Sequence, residues 1–273
     1  MTREEAEIEL DDSPRNIPLH GPEDFEGMRR AGKLAAECLD MITPHVVPGI
    51  TTEKLDQLCH DFIRDHGAVP APLGYKGYPK SICTSVNHVV CHGIPGPKAL
   101  EDGDIVNIDV TTIVDGWHGD TSRMYIAGEA GVRARKLIDA TYDSLMKAIS
   151  LVKPGVRLGD IGHAIQSHVE PMGFAVVRDF CGHGLGKIFH CAPSVMHYGR
   201  PGTSLTLKAG MFFTIEPMIN ASTDWRTKVL SDGWTAVTRD RALSAQFEHS
   251  IAVTETGHEI FTLSPKGFTK PPY

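Results

Sequence analysis

Apolar residues recur at helical spacing in four segments of the chain and alternate with polar residues in two longer regions. Residues three and four apart lie on one face of a helix, so the first pattern predicts four amphipathic helices. These are residues 24–44, 52–66, 131–152 and 157–173. Alternation is typical of half-buried strands. Strands are therefore predicted after each pair of helices, in the regions of about 82–127 and 175–254.

The two pairs of helices are built alike. A Pro-Gly step separates the helices of each pair, at Pro48-Gly49 and at Pro154-Gly155, and a glycine ends each second helix, at Gly67 and Gly173. Both markers lie 106 residues apart (154 − 48 and 173 − 67). We therefore expect two αβ halves packed about an approximate two-fold axis, with a site between them. The alternative is that the Pro-Gly steps coincide by chance.

A hairpin in the first half places two acids together. Residues 104–114 alternate as a strand should, with Asp109 and Thr111 on its polar face. The following Asp115-Gly116 is a strong signal for a two-residue turn. With that turn, Thr111 faces Asp120 across the hairpin. Asp109 and Asp120 then lie on one face as diagonal neighbours, about 7–8 Å apart at the backbone.

Such a pair of carboxylates has two interpretations. Beside apolar residues the two charges repel each other and resist ionisation unless a cation lies between them. A metal site is one reading, and an ordinary solvated hairpin face is the other. Glu216 and Glu248 each interrupt an apolar strand, where an unpaired carboxylate is costly. His183 lies between glycines that let the backbone approach a ligand closely.

Together these residues supply four carboxylates and one imidazole. Such an oxygen-rich set suits a pair of divalent ions about 3.5–4 Å apart. A water bridging two ions has a lowered pKa and becomes a hydroxide nucleophile near neutral pH. Each of these residues taken alone is more often structural than a ligand.

Composition and charge limit the class of protein. Hydrophobic residues make up 41% and charged residues 22% of the 273 residues, which is typical of one large globular domain or two small ones. The net charge of −7 and the lack of a concentrated basic stretch argue against direct nucleic-acid binding. No segment approaches the roughly 20 apolar residues that span a membrane. A cytoplasmic protein without a membrane partner is expected.

The chain is expected to have a short arm and one folded unit. The first twelve residues contain six acids and no apolar core of a secretion signal. We predict a flexible acidic arm over residues 1–20 and a single catalytic domain over 21–273. The six cysteines have scattered spacings without a CxxC pair, so we predict reduced, mostly buried thiols.

Six motifs resemble those of bacterial type I methionine aminopeptidases, within a likeness that extends over about residues 22–263. The motifs are Gly77–Asn87, Val90–Pro95, Asn107–Asp120, Cys181–Gly186, Thr214–Pro217 and Ser244–His249. The resemblance implies the pita-bread fold, an α+β architecture of two related halves with curved antiparallel sheets. It also implies metal-dependent hydrolysis that removes the initiator methionine from nascent proteins and prefers a small second residue.

The resemblance assigns five ligands to two divalent ions. Asp109 would bind one ion, His183 and Glu216 would bind the other, and Asp120 and Glu248 would bridge both. Cobalt, manganese, iron and zinc all suit such a site, so the identity of the ions stays open.

Further residues are assigned to the substrate by the same resemblance. His92 would donate a hydrogen bond or carry a proton near the scissile amide, and His190 would stabilise the tetrahedral oxyanion. Glu216 is a candidate proton shuttle. The methionine pocket, with His92 at its edge, would consist of Tyr75, Tyr78, Cys83, Phe189 and Trp234. A weaker inference is a monovalent-cation site at Asn87, Val89 and Ser244.

The implied partners are the N-termini of nascent polypeptides, met at the ribosome, and the implied state is a monomer. Several rivals remain at this point. Prolidase and aminopeptidase P carry a large N-terminal domain, whereas about twenty residues precede the first helix here. The type II methionine enzyme has a helical insertion between its last two glutamate ligands, which here lie 32 residues apart (248 − 216). An inactive relative would have lost ligands, and a two-metal phosphatase would need Arg or Lys beside the carboxylates.

Overall fold

The computed structural model describes residues 16–273. The α-helices are α1 (Pro22–Ile42), α2 (Thr52–Asp65), α3 (Val132–Ser150) and α4 (Leu158–Val169). Short 3-10 helices lie at Thr43–His45, Tyr75–Gly77 and Glu170–Met172. The first-half strands are β1 (Val69–Pro70), β2 (Cys83–Val86), β3 (Val89–Cys91), β4 (Ile105–Val114) and β5 (Trp117–Ile126). The second-half strands are β6 (Ala175–Val176), β7 (Gly182–Gly184), β8 (Cys191–Val195), β9 (Phe212–Ile215), β10 (Met218–Asn220), β11 (Thr227–Val229), β12 (Ala236–Thr238), β13 (Ser244–Gln246), β14 (His249–Val253) and β15 (His258–Ile260).

The four predicted helices are confirmed, and local chemistry explains where they begin. Pro22 occupies the first turn of α1, where its missing N–H is not needed. Thr51 precedes α2, and its hydroxyl accepts a hydrogen bond from the Lys54 N–H at 3.1 Å. Each helix then buries the apolar face that its spacing predicted.

Equivalent turns support the two-half arrangement. Gly49 and Gly155, at the two Pro-Gly steps, have φ values of 93° and 90°. This left-handed backbone favours glycine. The Gly49 N–H donates to the Leu100 carbonyl at 2.8 Å, and the Gly155 N–H donates to the Leu207 carbonyl at 3.0 Å. The expected repeat therefore extends from the sequence to the hydrogen bonds that close each helix pair.

Each half has its own apolar core. In the first half α1, α2 and β4 meet through residues that include Leu39, Leu55 and Ile108. In the second half α3 and α4 pack on strands through residues that include Leu137 and Ile165. Burial of such side chains supplies most of the driving force for folding. A third cluster, which includes Met28, Trp117 and Phe212, joins the two halves, and we call the boundary between them the seam.

The strands form antiparallel sheets that meet at the seam. One sheet has the order β1-β4-β2 with β5 paired to β4, and another has the order β15-β14-β9-β7-β8. Two three-stranded sheets have the orders β13-β10-β6 and β11-β12-β3. The register of β4 and β5 pairs Thr111 with Asp120, which confirms the predicted hairpin. An isolated bridge between Ser122 and Glu248 joins this hairpin to the second half.

Two residues of the predicted arm, Ile17 and His20, contact the rest of the fold. Ile17 is buried in the second-half core, and the His20 ring stacks on Phe212 with 4.1 Å between centroids. The His20 N–H also donates to the Gly210 carbonyl at 2.8 Å. The remainder of the predicted arm, residues 1–15, lies outside the described residues.

Two further expectations can be compared with the fold. All six cysteines are free, four of them buried and two partly buried, as predicted. Within residues 16–273, no helix combines the length and apolar character that crossing a membrane requires.

A buried ion pair gives a test of the fold. Asp40 accepts hydrogen bonds from Arg123 Nη1 at 2.8 Å, from the Ser264 hydroxyl at 2.8 Å and from the Lys266 N–H at 3.2 Å. Asp40→Ala leaves the buried guanidinium without its partner. We expect a loss of about 3–5 kcal/mol in the free energy of unfolding, measured with urea. The control Arg30→Ala, which removes only an exposed pair with Asp115, should change it by less than about 1 kcal/mol. Equal losses in the two variants would contradict this assignment.

Candidate metal centre

Two glycines allow His183 to reach the seam. His183 lies in the middle of β7, between β8 and β9. A Cβ atom at Gly182 would overlap the Thr214 carbonyl oxygen, and one at Gly184 would overlap the Ala192 carbonyl oxygen. The glycines around His183 are therefore required by the close approach of both neighbouring strands.

A backbone contact orients the His183 ring. Its Nδ1 lies 3.1 Å from the Gly184 carbonyl oxygen, which can only accept, so Nδ1 carries the hydrogen. Nε2 is then free to offer its lone pair, and it lies 3.5 Å from Asp120 Oδ2 and 3.7 Å from Glu216 Oε1. Burial lowers the pKa of His183, but the hydrogen bond to Asp120 and the charges of Glu216 and Asp120 outweigh it, so the pKa is raised overall.

The hairpin supplies two carboxylates with different surroundings. Asp120 Oδ1 accepts a hydrogen bond from the Thr111 hydroxyl at 2.6 Å. Asp109 Oδ1 is buried and has no hydrogen-bond partner among the described residues. Burial, followed by the charges of Asp120 and Glu216, raises the pKa of Asp109 well above its usual range. A buried carboxylate oxygen without a hydrogen-bond partner is costly, and a bound cation would satisfy it.

The second half supplies Glu216 and Glu248. The two Glu216 oxygens accept hydrogen bonds from the Thr214 hydroxyl at 2.8 Å and from Gln246 Nε2 at 3.2 Å. Burial and the charge of Asp120 raise the pKa of Glu216 to about 7. The Glu248 N–H donates to the Ser122 carbonyl at 3.1 Å, which holds this residue against the hairpin. Its pKa is raised well above the usual range by burial and then by the charges of Asp120, Glu216 and Asp109.

The donor set fits a divalent metal. Asp120, His183 and Glu248 each offer one ligand atom, and these atoms lie within 4.8 Å of one another. Glu216 adjoins this group through His183, and the charges of Asp109 and Glu216 act on Glu248. Carboxylate oxygens with one imidazole nitrogen suit borderline and hard divalent ions. A cation here would relieve the repulsion that raises these pKa values.

His190 connects the ligands to the first of two aromatic groups. Its ring lies 4.2 Å from the His183 ring and 4.1 Å from the Phe189 ring, measured between centroids. Its Nδ1 lies 3.0 Å from the Tyr75 hydroxyl. Burial, then the neighbouring His183, lowers the pKa of His190 to about 2. His190 is therefore a neutral ring beside a proposed ligand.

The second aromatic group surrounds His92. Trp234 lies 6.4 Å from His92 and 5.1 Å from Tyr78 between ring centroids, and Phe180 lies edge-on to His92 at 5.5 Å. Burial lowers the pKa of His92 to about 4, so this ring is also neutral near pH 7. Cys83 pairs with Asp109 across β2 and β4, which places this predicted pocket residue opposite a predicted ligand.

Sequence reasoning missed several partners of the ligands. Thr214 and Gln246 each lie two residues before a glutamate of the set, so strand alternation alone could have placed them on the same face. His197, whose Nε2 accepts the Glu216 N–H at 3.1 Å, has no local signal in the sequence. Phe180 also lacked one.

The structure brings together two residues of the expected monovalent-cation site. The Ser244 N–H donates to the Asn87 carbonyl at 2.8 Å, and Asn87 has a positive φ of 54°. Val89 pairs with Val237 between β3 and β12. The cation site itself stays a prediction.

A basic surface also emerged that the sequence did not reveal. A cavity of about 450 Å³ is lined by His88, Lys228, Arg239 and Arg241 together with apolar residues. The β11–β12 pairing brings these cations together from separate positions in the chain. A smaller cavity of about 300 Å³ lies beside His20. Neither of these two cavities includes a predicted metal ligand.

The raised pKa values predict how metal-free protein responds to pH. Asp109, Glu216, Glu248 and His183 have folded-state pKa values above their unfolded values, so their contribution to stability is lost as pH rises through the folded pKa. For Glu216 this occurs at about pH 7. Glu216 alone should cost metal-free protein about 1 kcal/mol of unfolding free energy between pH 6.5 and 8, and Asp109 and Glu248 should add to that loss. Urea unfolding in the presence of a chelator measures the change.

A bound divalent ion should abolish or reverse that loss, because the carboxylates are then ionised in the folded state. Metal-free protein that gains stability across the same interval would contradict the raised pKa values.

Comparisons with known proteins identify the family of this chain. The sequence profile described as "Metallopeptidase family M24" matches residues 26–255. The chain is 62% identical over 257 residues to a methionine aminopeptidase of Rickettsia prowazekii, covering 94% of this chain and 99% of the relative. It is 55% identical over 249 residues to the methionine aminopeptidase of Escherichia coli K12, covering 90% of this chain and 94% of the relative.

Solved structures confirm the predicted fold. The crystal structure of methionine aminopeptidase from Rickettsia prowazekii matches with a TM-score of 0.89, covering 90% of this chain and 100% of that one. A prolidase from Pyrococcus horikoshii, 17% identical, matches with a TM-score of 0.70 over 89% of this chain and 63% of its own. The second likeness concerns the fold alone. The chain belongs to the metallopeptidase family M24 and, within it, to the bacterial methionine aminopeptidases.

Proposed function

We propose that this chain is a metal-dependent aminopeptidase that removes the N-terminal methionine of nascent polypeptides whose second residue is small. The observation that carries the proposal is the convergence of His183, Asp120 and Glu248 within 4.8 Å of one another in a chain 62% identical to a methionine aminopeptidase. Its setting would be the cytoplasm, where new chains leave the ribosome.

The proposed site holds two divalent ions. Asp109 would hold one ion, His183 and Glu216 would hold the other, and Asp120 and Glu248 would contribute to both. Ions bound there acidify water and polarise the peptide carbonyl. Manganese, iron, cobalt and zinc are all compatible with this donor set, so cellular supply would decide among them.

His190 is proposed to stabilise the oxyanion. His190 Nδ1 lies 3.0 Å from the Tyr75 hydroxyl; in the tautomer where that hydroxyl donates to Nδ1, the hydrogen of the neutral ring resides on Nε2. That N–H can donate to the substrate carbonyl as negative charge develops on its oxygen. The stacking of His190 on the Tyr75 ring and its tilted contact with Phe189 hold the His190 ring in place before substrate arrives.

His92 and Glu216 are proposed to handle protons at the scissile amide. A neutral His92 ring can both donate a hydrogen bond to the substrate and accept one, whereas an imidazolium can only donate. Glu216 is held through both oxygens by Thr214 and Gln246, so its carboxylate has one orientation. That orientation suits a group that receives a proton from water and passes it on.

The methionine side chain is proposed to lie among Tyr75, Phe189, Tyr78, Cys83 and Trp234. Tyr78 has a buried hydroxyl that donates to the Gly93 carbonyl at 3.0 Å, so it presents only its apolar ring. Aromatic rings and a thiol suit a flexible thioether. Aromatic side chains of this kind favour a long unbranched apolar side chain over a charged one.

The first test is hydrolysis of short peptides by purified, metal-loaded protein. Free methionine should be released from Met-Ala-Ser. The value of kcat/KM should be more than about tenfold lower for Met-Leu-Ser, because the family resemblance places the second residue against a narrow wall beside the metals, where a branched side chain does not fit. Chromatography of the released amino acid measures both rates. Equal turnover of the two peptides would refute the preference, and cleavage of neither would refute the proposed activity.

A second test uses two acids of one hairpin. Asp109→Asn should lower kcat/KM by more than about 100-fold and weaken binding of one ion. Mutation of a residue that only hydrogen-bonds to a metal ligand already lowers metal affinity or activity about 10–100-fold, so loss of a ligand should have a larger effect. The matched control Asp115→Asn changes an exposed acid in the turn and should retain full activity. Circular dichroism checks that both variants fold. Normal activity in the Asp109 variant would remove it from the ligand set.

A further inference from the structure

One buried hydroxyl contacts two of the proposed ligands. We infer that Thr214 is a positioning residue that fixes His183 and Glu216 relative to each other through its single side-chain oxygen. This inference rests on the proposed function, because it assumes that the two ligands hold the same ion.

The contacts of Thr214 define its role. The Thr214 side chain lies on β9 and is fully buried. Its Oγ1 accepts the His183 N–H at 3.0 Å and lies 2.8 Å from Glu216 Oε1. A backbone N–H can only donate, and a hydroxyl has a single hydrogen. The Thr214 hydrogen is therefore available to the Glu216 carboxylate, and the direction of both bonds is determined.

The sheet prevents this hydroxyl from moving away. Strand β9 pairs with β14 on one side, with Thr214 opposite Ser250, and with β7 on the other. On the β7 side the Thr214 carbonyl oxygen lies so close to Gly182 that no side chain fits there. Backbone pairing on both sides of β9 therefore fixes the position of Thr214, whose Oγ1 contacts both proposed ligands.

Loss of the hydroxyl would affect both ligands together. The His183 N–H would become a buried donor without its acceptor, which is unfavourable and favours a shift of the β7 backbone. Glu216 would lose the bond on the oxygen that faces His183 Nε2 at 3.7 Å. We expect His183 and Glu216 to be misaligned, while Asp109 and Asp120 on the hairpin keep their positions.

The test compares divalent-ion binding by three variants with that of the wild type. Thr214→Val removes the hydroxyl with little change in shape, and Thr214→Ser keeps it. The control Thr112→Val removes an equally buried strand hydroxyl, which donates to the Ala31 carbonyl at 2.9 Å and contacts no ligand. Mn²⁺ titrations of metal-free protein by calorimetry give the affinity of each ion.

In Thr214→Val, one of the two ions should bind about 10–100-fold more weakly, as for other residues that orient metal ligands. Thr214→Ser should restore most of that affinity, and Thr112→Val should match the wild type. Unchanged Mn²⁺ affinity in a folded Thr214→Val variant would overturn the inference, and so would an equal loss in Thr112→Val. Failure of wild-type protein to bind any divalent ion would instead overturn the proposed function.

Amide exchange supplies a readout that needs neither metal nor activity. In metal-free wild type, the His183 amide should exchange slowly because it donates to a buried hydroxyl, and it should exchange markedly faster in Thr214→Val. Nuclear magnetic resonance measures both rates residue by residue. If Thr214→Val does not fold, an unprotected His183 amide in the wild type would still contradict the inference.

Discussion

The structure depends on holding like charges together in a largely buried site. Four carboxyl groups and one imidazole converge at the seam, and three of the carboxyl groups have raised pKa values because of burial and mutual repulsion. Nothing in their own chemistry favours this arrangement without a cation. The surrounding fold must therefore supply the free energy that keeps them in place.

Hydrogen bonds across the seam supply that restraint. The Ser250 hydroxyl accepts the Asp120 N–H at 3.1 Å and donates to the Asp120 carbonyl at 2.6 Å. Asn107 Nδ2 donates to the Gln246 carbonyl at 2.8 Å, and the Thr121 hydroxyl donates to the Glu248 carbonyl at 2.7 Å. The hairpin of the first half is thus joined to the ligand-bearing strands of the second by bonds that do not involve the carboxylates. Such pre-organisation is what a site needs if it is to bind ions without rearrangement.

Local sequence patterns predicted the helices and turns of this structure. The four helices, the hairpin register that pairs Thr111 with Asp120 and the repeat of Pro-Gly turns follow from spacing and turn chemistry. The meeting of His183 with the hairpin could not be derived in that way, because it depends on packing between distant segments, and only the family resemblance indicated it. The burial of Ile17 could not be predicted for a related reason. Ile17 and Leu19 are the apolar residues of a short segment without helical or strand spacing, and the burial of Ile17 depends on a core formed by residues far along the chain.

The two-residue turn between β4 and β5 has a consequence for how this chain can vary in length. Side chains of a strand alternate between its faces, so one residue added or removed at Asp115-Gly116 would shift the pairing of β5 by a position. Asp120 would then point away from the seam, and Thr121 after a deletion, or Gly119 after an insertion, would take its place, although the sequences of both strands were intact. The turn should therefore tolerate exchanges of one amino acid for another far better than insertions or deletions.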